Sequence, residues 1–414
     1  MIRFAVSAVI VCWLLLIASC VGVDPLGSAE DPGSVVVENA SALMPRLPAE
    51  RVAVGVPHDY KPCLLKMPDG ELLLIAFHAP RGKSVGAEYC FLYRSSDGGR
   101  TWSEREELDF EGREPYFSMT KSGVIFVSVH VLPAARGNTE GYTYSYLYRS
   151  EDGARTWDWT KVPYDETLRA SRRDGQHPEK DGVGTSRNVI ELQDGTLFFG
   201  VSSSHGAVMS WRSTDDGRTW EKRPAGKFGG PDIATYRGSV HNEAFLYQAA
   251  SGDLLSIKRV ALEHYPPVES TERPASPTDQ YHRMVLYRSK DGGDNWTMEE
   301  IGSYYGEMYP SVTQLNDDRM LFTFTQRTAV PPNKPPLGVR AVLGEAIHDG
   351  FKFHFDRDRI VLSAKTPPHL TSGGGFGPTV QLDDDTLVTS YSYRDVENVT
   401  HIEVVRWRLV GPGR

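Results

Sequence analysis

The chain has 414 residues with a net charge of −9, 40% hydrophobic residues and 24% charged residues. This is the composition of a globular protein, and it excludes a collagen-like chain, a wholly disordered chain and a multi-span membrane protein. Lysine and arginine number 45 against 54 aspartate and glutamate residues, with no long basic run. A nucleic-acid partner is not expected, because binding to a phosphate backbone requires a positively charged face.

The N-terminal segment has the features of an export signal. A positive charge at Arg3 precedes an apolar stretch over residues 4–19, which is short for a membrane span of about 20 residues. The stretch ends in IASC, which resembles the bacterial lipobox, and Cys20 would then carry a lipid; simple secretion is the alternative. The expected organisation of this extracytoplasmic protein is a signal peptide at 1–20, a tether at 21–50 and a folded unit at 51–414.

Four copies of a short turn motif follow the pattern S-x-D-x-G-x-T-W. Serine and aspartate accept backbone hydrogen bonds in such a turn, glycine allows positive φ, and tryptophan covers it. The Asp-Asp-Gly of the third copy also partly matches a calcium loop, but the other ligands of such a loop are missing. The copies are SSDGGRTW at 95–102, SEDGARTW at 150–157, STDDGRTW at 213–220 and SKDGGDNW at 289–296.

A second repeat is a tight turn flanked by alternating apolar residues, which is typical of a β-hairpin. It occurs six times, with turn positions at 70, 123, 195, 252, 318 and 385, so that five steps cover 315 residues, or 63 per step. That period accommodates four short strands, and no stretch shows sustained helical periodicity. The repeats therefore predict an all-β fold, a six-bladed β-propeller of four-stranded antiparallel blades.

Cys63 and Cys90 are the two cysteines that follow the N-terminal segment. In a four-stranded meander they fall in the first and third strands, which are not neighbours, so we expect free buried thiols. The sequence contains no CxxC pair and no HExxH motif. Neither a metal nor an organic cofactor is expected.

Equivalent positions of propeller blades form rings around the axis, so a fixed offset from each hairpin turn predicts which side chains converge. Charge at this density favours a polar ligand site at one mouth of the channel over a solvated rim. Nine residues before the turns stand Lys61, Glu114, Ser186 (followed by Arg187), Glu243, Tyr309 and Phe376. Seven residues after them stand Phe77, His130, Ser202, Arg259, Thr325 and Ser392, with His78, Arg327 and Arg394 close by.

The Asp-box (BNR) turns, the six units and the strand starts resemble the sialidase (neuraminidase) superfamily over roughly residues 50–410. The resemblance implies a tyrosine nucleophile activated by a glutamate, three arginines that hold a sugar carboxylate, and an aspartate acid/base. Tyr309 then matches the nucleophile and Glu243 its base, with Glu114 as a further acid on the ring. The residues expected to bind the acidic sugar are Lys61, Arg259 and Arg283, with Arg187 and Arg327 as auxiliaries.

Two positions depart from the family pattern. Lys61 stands where the family has its first arginine, which keeps the charge and loses the bidentate fork. The loop after Phe77 contains no aspartate, so that Glu88, His78 or Glu114 would have to replace the acid/base. The sequence therefore predicts a sialidase-like glycoside hydrolase acting on a glycan or acidic saccharide. The alternatives are a non-catalytic glycan-binding propeller and an interaction scaffold.

Overall fold

A computed structural model describes residues 33–80, 88–132, 135, 138–139, 144–162, 184–202, 208–229, 242–261, 279–375 and 377–410. These residues form 27 strands and one 3-10 turn, Asp279–Tyr281, with no α-helix. The predicted all-β class is confirmed. Within the described ranges, no helix is long and apolar enough to cross a membrane.

Four-stranded antiparallel meanders make up most of the fold, as the hairpin repeat predicts. Two strands precede the meanders, namely β1 (Ser34–Glu38) and β2 (Arg46–Val54). The first meander contains β3 (Asp59–Lys66), β4 (Leu72–His78), β5 (Tyr89–Ser95) and β6 (Glu106–Leu108). The second contains β7 (Arg113–Met119), β8 (Ile125–Val131), β9 (Tyr144–Ser150) and β10 (Asp158–Lys161).

The next two meanders follow the same order. The third contains β11 (Gly184–Glu191), β12 (Leu197–Ser202), β13 (Val208–Ser213) and β14 (Glu221–Gly229). The fourth contains β15 (Asn242–Gln248), β16 (Leu254–Ala261), β17 (His282–Ser289) and β18 (Asn295–Glu300).

The last third of the chain is less regular. The fifth unit contains β19 (Glu307–Gln314), β20 (Arg319–Gln326), β21 (Gly338–Ile347), β22 (Gly350–Phe353) and β23 (Arg359–Val361). The sixth contains β24 (Gly374–Gly375), β25 (Val380–Gln381), β26 (Leu387–Arg394) and β27 (Thr400–Trp407).

Hydrogen bonds between neighbouring units join some of the expected blades. Among the described residues the strands form four sheets, of 4, 4, 8 and 11 strands, where the repeat predicts six. The eight-stranded sheet arises because β14 pairs in parallel with β18 and so links the third and fourth meanders. In the eleven-stranded sheet, β1 bridges β23 and β2, and β2 continues into β27.

The N-terminal strands correct the expected domain boundary. Residues 21–50 were expected to be a tether, yet β1 and the first part of β2 lie inside this range. β2 pairs with β27, with Ala49 opposite Trp407, so the outer strand of the last unit comes from the N-terminal side of the chain. Residues 34–38 and 46–50 therefore belong to the folded unit, while residues 1–32 lie outside the described part of the chain.

A chain of arginine contacts connects one unit to the next. The arginine at the last but one position of a unit's third strand donates to a backbone carbonyl in a turn of another unit. The contacts are Arg94 to Gly153 and Ala154, Arg149 to Asp216, Arg212 to Gly292, Arg288 to Asp349 and Arg406 to Gly98. Arg406 of the last unit thus contacts the turn of the first unit.

The Asp-box turns have the predicted internal hydrogen bonds. In the first copy the Ser95 hydroxyl accepts the Gly99 N–H at 2.9 Å, and the Asp97 carboxylate accepts the Thr101 N–H at 2.9 Å. Gly98 and Gly99 have φ of 71° and 87°, a region that side chains rarely adopt. These bonds hold the Asp97 carboxylate ionised: although its partial burial opposes ionisation, they lower its pKa to about 2.

Both cysteines occupy the predicted strands as free buried thiols, Cys63 in β3 and Cys90 in β5. Burial is the main cause of their raised pKa values, and the pKa of Cys63 rises to about 12. Cys63 also accepts the N–H of Phe117 from the second meander, at 3.3 Å. It therefore packs between units as a small apolar residue.

Candidate functional site

A β-bulge recurs in the first strand of each of the first five units, at the positions that the ring analysis singles out. The antiparallel register shifts between residues 60 and 63, 113 and 116, 185 and 189, 242 and 245, and 308 and 311. Lys61, Glu114 and Tyr309 lie in these bulges with φ of 49°, 56° and 61°. Non-glycine residues in this conformation cost roughly 1–3 kcal/mol each and concentrate at functional sites.

Side chains from these bulges, together with Arg327 directly after the end of β20, meet around Tyr309. Lys61 Nζ lies 4.7 Å from the centroid of the Tyr309 ring, and the Arg187 and Arg327 guanidinium carbons lie 5.6 and 5.7 Å from it. Tyr309 is only 4% exposed, so water screens these charges weakly. We call the following set the central cluster: Tyr60, Lys61, Glu114, Arg187, Tyr309 and Arg327.

Glu114 is the acceptor for most of the cationic groups on one side of the cluster. Its carboxylate lies 2.5 Å from Lys61 Nζ and 3.4 Å from Arg187 Nη2, and Arg113 and His130 follow at 3.6 and 3.8 Å. Burial alone would raise the pKa of Glu114, but Lys61 and the other cationic groups hold it well below its usual range. An ionised carboxylate of this kind positions cations and is a poor proton donor.

Arg327 organises the other side of the cluster. Its Nε donates to Asp279 at 2.6 Å, and its Nη1 donates to the carbonyl of Ser372 at 2.8 Å and to the Tyr60 hydroxyl at 3.4 Å. Burial opposes the charge on Arg327, but Tyr309, Tyr60 and Asp279 together raise its pKa well above the usual value. Asp279 is held ionised in return: burial acts against this, and His282 and Arg327 lower its pKa.

The two histidines of the predicted ring have different surroundings. Burial lowers the pKa of His130 to about 4, so the ring beside Glu114 is neutral near pH 7. His78 Nδ1 lies 2.8 Å from the fully buried carboxylate of Asp59, and the His78 ring lies 5.2 Å from that of Tyr89. His78 thus belongs to a separate cluster in the first meander. Neither ring is placed as a proton donor to a ligand beside Tyr309.

The other residues predicted to bind substrate divide into two groups. Arg259 reaches the cluster: its Nη1 contacts Met308 Sδ at 3.8 Å, and it helps to lower the pKa of Asp279. Arg283 does not join the cluster. It is paired across the strands with Val260, the residue after Arg259, and successive side chains of a strand point to opposite faces of the sheet. Arg283 therefore lies on the face opposite to Arg259. Its guanidinium instead pairs with Glu300, with Nη1 2.6 Å from Oε2.

Glu243, predicted as the base, lies in the backbone of β15 at the bulge, and its side chain is outside the described part of the structure. Glu88, one candidate acid/base, lies 3.6 Å from Arg113. No group of three or more histidine, cysteine, aspartate or glutamate side chains within the described ranges is arranged to hold a metal.

Two members of the site were not found from the sequence. Tyr60 precedes the Lys61 bulge, and its hydroxyl lies at Arg327; the offset search selected only one residue from each strand start. Asp279 lies near the end of the proline-containing insert at 263–282, which the sequence describes only as a surface loop or lid. Residues 263–278 of that insert lie outside the described residues. A usable signal for Tyr60 was the run of polar and aromatic residues at 58–61.

No protein-family model matches the chain, and no curated protein matches its sequence. Solved structures do resemble it in fold. A protein of unknown function from Dyadobacter fermentans superposes with a TM-score of 0.60 at 19% identity, covering 92% of this chain and 100% of that one. The NanB sialidase from Streptococcus pneumoniae, in complex with a substituted ethanesulfonate, gives 0.56 at 13% identity, covering 87% and 70%.

An enzyme with a different sugar specificity shares the same fold. The α-L-arabinofuranosidase Arb93A from Fusarium graminearum, in complex with an iminosugar inhibitor, superposes with a TM-score of 0.53 at 13% identity, covering 90% of this chain and 97% of that one. At these identities the similarity shows a fold shared with sialidases and arabinofuranosidases, and the chemistry has to be argued from the site.

Proposed function

We propose that this chain is an exported sialidase-like glycoside hydrolase that removes terminal acidic sugars from glycans, with Tyr309 as the nucleophile. The observation that carries the proposal is the position of Tyr309 in a strained bulge, with three cationic groups within 6 Å of its ring. A phenol ionises near pH 10 in water. Nearby cations stabilise the phenolate, which makes Tyr309 a better nucleophile.

The charge of the site supports an anionic substrate. A carboxylate nucleophile would repel an acidic sugar, whereas a phenol with arginines around it does not, and sialidases are the glycosidases known to use tyrosine in this role. Arg187, Arg259 and Arg327 are the guanidinium groups proposed to hold the sugar carboxylate. The NanB structure contains an anionic sulfonate and Arb93A acts on arabinofuranosides; the cationic cluster favours the acidic sugar for this chain.

Lys61 and Glu243 complete the proposed machinery. Lys61 stands in the bulge where the family has its first arginine, and it contributes a point charge to both Tyr309 and Glu114. Glu243 is proposed as the base that accepts the Tyr309 proton, since it occupies the matching bulge of the fourth meander. Glu114, which the sequence suggests as a catalytic acid, is better suited to position Lys61 and Arg187.

The architecture and location belong to the same proposal. We infer that the six strand units close as six propeller blades, which the arginine contacts from the last unit to the first support. The N-terminal sequence supports export with a lipid anchor at Cys20. Expression of the full chain in a bacterium should place it in the membrane fraction, and Cys20→Ser should release it to a soluble fraction. If the variant and the wild type stay in the same fraction, the lipid anchor at Cys20 is contradicted in favour of simple secretion or another anchor.

Hydrolysis of an aryl α-sialoside by the purified protein tests the activity, with an aryl α-L-arabinofuranoside as the neutral alternative. We expect turnover of the sialoside and its loss in Tyr309→Phe. Tyr93→Phe is the matched control, because Tyr93 lies in the first meander beside Asp59 and Arg105, away from the cluster. Turnover that survives Tyr309→Phe would contradict the nucleophile, and turnover of the arabinofuranoside alone would contradict the substrate class.

A non-catalytic glycan-binding protein is the second candidate. It is favoured by one observation: Glu114 in the cluster and Asp279 beside it are both held in ion pairs. Glycan binding measured by calorimetry, without release of sugar and without dependence on the Tyr309 hydroxyl, would support it. An interaction scaffold would show neither turnover nor glycan binding.

A further inference from the structure

Two phenols, not one, lie among the cations of the central cluster. Lys61 Nζ is 5.5 Å from the Tyr60 ring and 4.7 Å from the Tyr309 ring, so one ammonium group faces both. The Tyr60 hydroxyl accepts from Arg327 Nη1 at 3.4 Å, and the Arg394 guanidinium lies 6.0 Å from the Tyr60 ring. The three cations come from three different units of the fold.

These neighbours give Tyr60 an unusual acidity. Burial would raise its pKa, but Arg327, Lys61 and Arg394 outweigh burial and lower the pKa to about 7. Tyr93, in the same meander, shows the opposite outcome: burial and the nearby Asp59 raise its pKa to about 12. Near neutral pH Tyr60 is thus present both as phenol and as phenolate, which is the condition for efficient proton transfer in both directions.

Glu114 in the cluster and Asp279 beside it are poor proton donors. Glu114 and Asp279 are held as carboxylates by Lys61 and Arg327, as described above. Glu88 is the remaining candidate among the described acids, and Arg113 lies 3.6 Å from it. A reaction at Tyr309 still needs a group that protonates the departing oxygen.

We propose that Tyr60 is the acid/base catalyst of the site. The proposal rests on the proposed function, and it assigns a role that neither the Asp-box pattern nor the offset rings predict. Its geometric basis is the Arg327 guanidinium, which contacts the Tyr60 hydroxyl and also lies against the Tyr309 ring. Nucleophile and proton donor would then be two phenols held by shared cations.

The reaction then takes two steps. In the first, the Tyr309 phenolate oxygen bonds to the anomeric carbon, the glycosidic bond breaks, and the Tyr60 proton passes to the departing oxygen, which leaves as a neutral alcohol. In the second, water bonds to the anomeric carbon and gives its proton to the Tyr60 phenolate, while the bond to Tyr309 breaks. Both phenols return to their starting states.

The leaving group supplies the test. Tyr60→Phe should lower kcat/KM for an alkyl sialoside about 100-fold to 10,000-fold, the usual range for loss of a general acid. An aryl sialoside with an acidic phenol as leaving group needs little protonation, so its kcat/KM should fall far less. Tyr309→Phe should abolish turnover of both substrates, and Tyr93→Phe should change neither.

The pH profile is a second readout. Because Tyr60 must be protonated for the first step, kcat/KM for the alkyl sialoside should fall as pH rises through about 7. That limb should disappear in Tyr60→Phe and persist in Glu88→Gln. An equal loss on both substrates in Tyr60→Phe, or the leaving-group signature in Glu88→Gln instead, overturns the proposal while leaving the glycosidase activity in place.

A titration without substrate separates the two proposals. The ultraviolet absorbance of phenolate in the wild type should show one tyrosine ionising near neutral pH, and this step should be absent in Tyr60→Phe and present in Tyr93→Phe. Its absence from the wild type overturns the role of Tyr60. If the titration appears but no glycoside is hydrolysed, the proposed function fails and the acid/base role fails with it.

Discussion

Glu114→Gln removes the charge that balances the cations on one side of the central cluster while keeping the shape of the side chain. Lys61 Nζ, Arg187 Nη2 and Arg113 Nη2 lie 2.5, 3.4 and 3.6 Å from the Glu114 carboxylate. Removing one partner of a buried ion pair costs about 3–5 kcal/mol, because the other charge is left without compensation. We expect the free energy of unfolding of Glu114→Gln to fall by about that amount.

Lys61→Met is the matched comparison, and it should cost less. It removes one of several cations, and Glu114 keeps its contacts with Arg187 and Arg113. The double variant should be more stable than Glu114→Gln alone, because it also removes a cation that the glutamine cannot compensate. The free energies come from urea denaturation at fixed pH and low salt, because urea is uncharged and does not screen the ion pairs.

The acid dependence of stability gives an independent check. Cations hold the pKa of Glu114 in the folded protein below its value in the unfolded chain. Its contribution to the free energy of unfolding is therefore complete above the unfolded pKa of about 4.3, and it is lost as pH falls through the lower folded pKa. The stability gap between wild type and Glu114→Gln should therefore narrow as pH falls below about 4.

Two results would refute this reasoning. A Glu114→Gln variant within about 0.5 kcal/mol of the wild type would mean that the carboxylate balances nothing, since that is the range of neutral surface changes. A stability gap that stays constant between pH 7 and pH 3 would mean that the lost energy is not that of an ionised Glu114. Added inorganic phosphate should stabilise Glu114→Gln more than the wild type, because its cations lack the compensating carboxylate and the phosphate anion can supply that charge.

Three further predictions concern the fold. Gly217→Ala should destabilise the protein more than Gly70→Ala in denaturation: both have positive φ, but only at Gly217 would the added Cβ lie 2.3 Å from the Phe126 ring. Asp97→Ala should lower the free energy of unfolding by about 1–3 kcal/mol through lost turn hydrogen bonds, checked against the wild type in urea. Cys63 should resist alkylation at pH 8 until denaturant is added, as peptide mapping would show, because burial raises its pKa to about 12; rapid native labelling would contradict its placement.

Local patterns predicted the turns and the unit length because each depends on residues close together in sequence. Serine, aspartate and glycine at fixed spacing determine the Asp-box hydrogen bonds, and the same spacing appears four times. The arginine contacts between units were missed, although Arg94, Arg149, Arg212 and Arg288 each stand directly before the motif serine. Their role became visible only once neighbouring turns were placed side by side.

Features that depend on distant pairing were not predictable in the same way. Residues 46–50, the first part of β2, were assigned to a tether, and the partner strand that shows otherwise, β27, lies more than 300 residues later. Arg283 and Arg259 both lie in strands near the mouth, and only the strand register decides that Arg259 faces the cluster and Arg283 faces Glu300. A shift of one residue reverses the face of every side chain in a strand.

The repeated bulge explains how one architecture accommodates different chemistry at its centre. Each of the first five units interrupts its first strand at the same place, and in three of them the residue there is lysine, glutamate or tyrosine followed by proline. The bulge fixes where the side chain points, while the strands on either side supply the stability. The same bulge thus carries a cation in one unit, an anion in another and a phenol in a third, and their side chains come to face one another. Exchanging Lys61 for arginine should consequently change substrate affinity while leaving the unfolding free energy nearly unaltered, and a large loss of stability would show that the bulge itself depends on lysine.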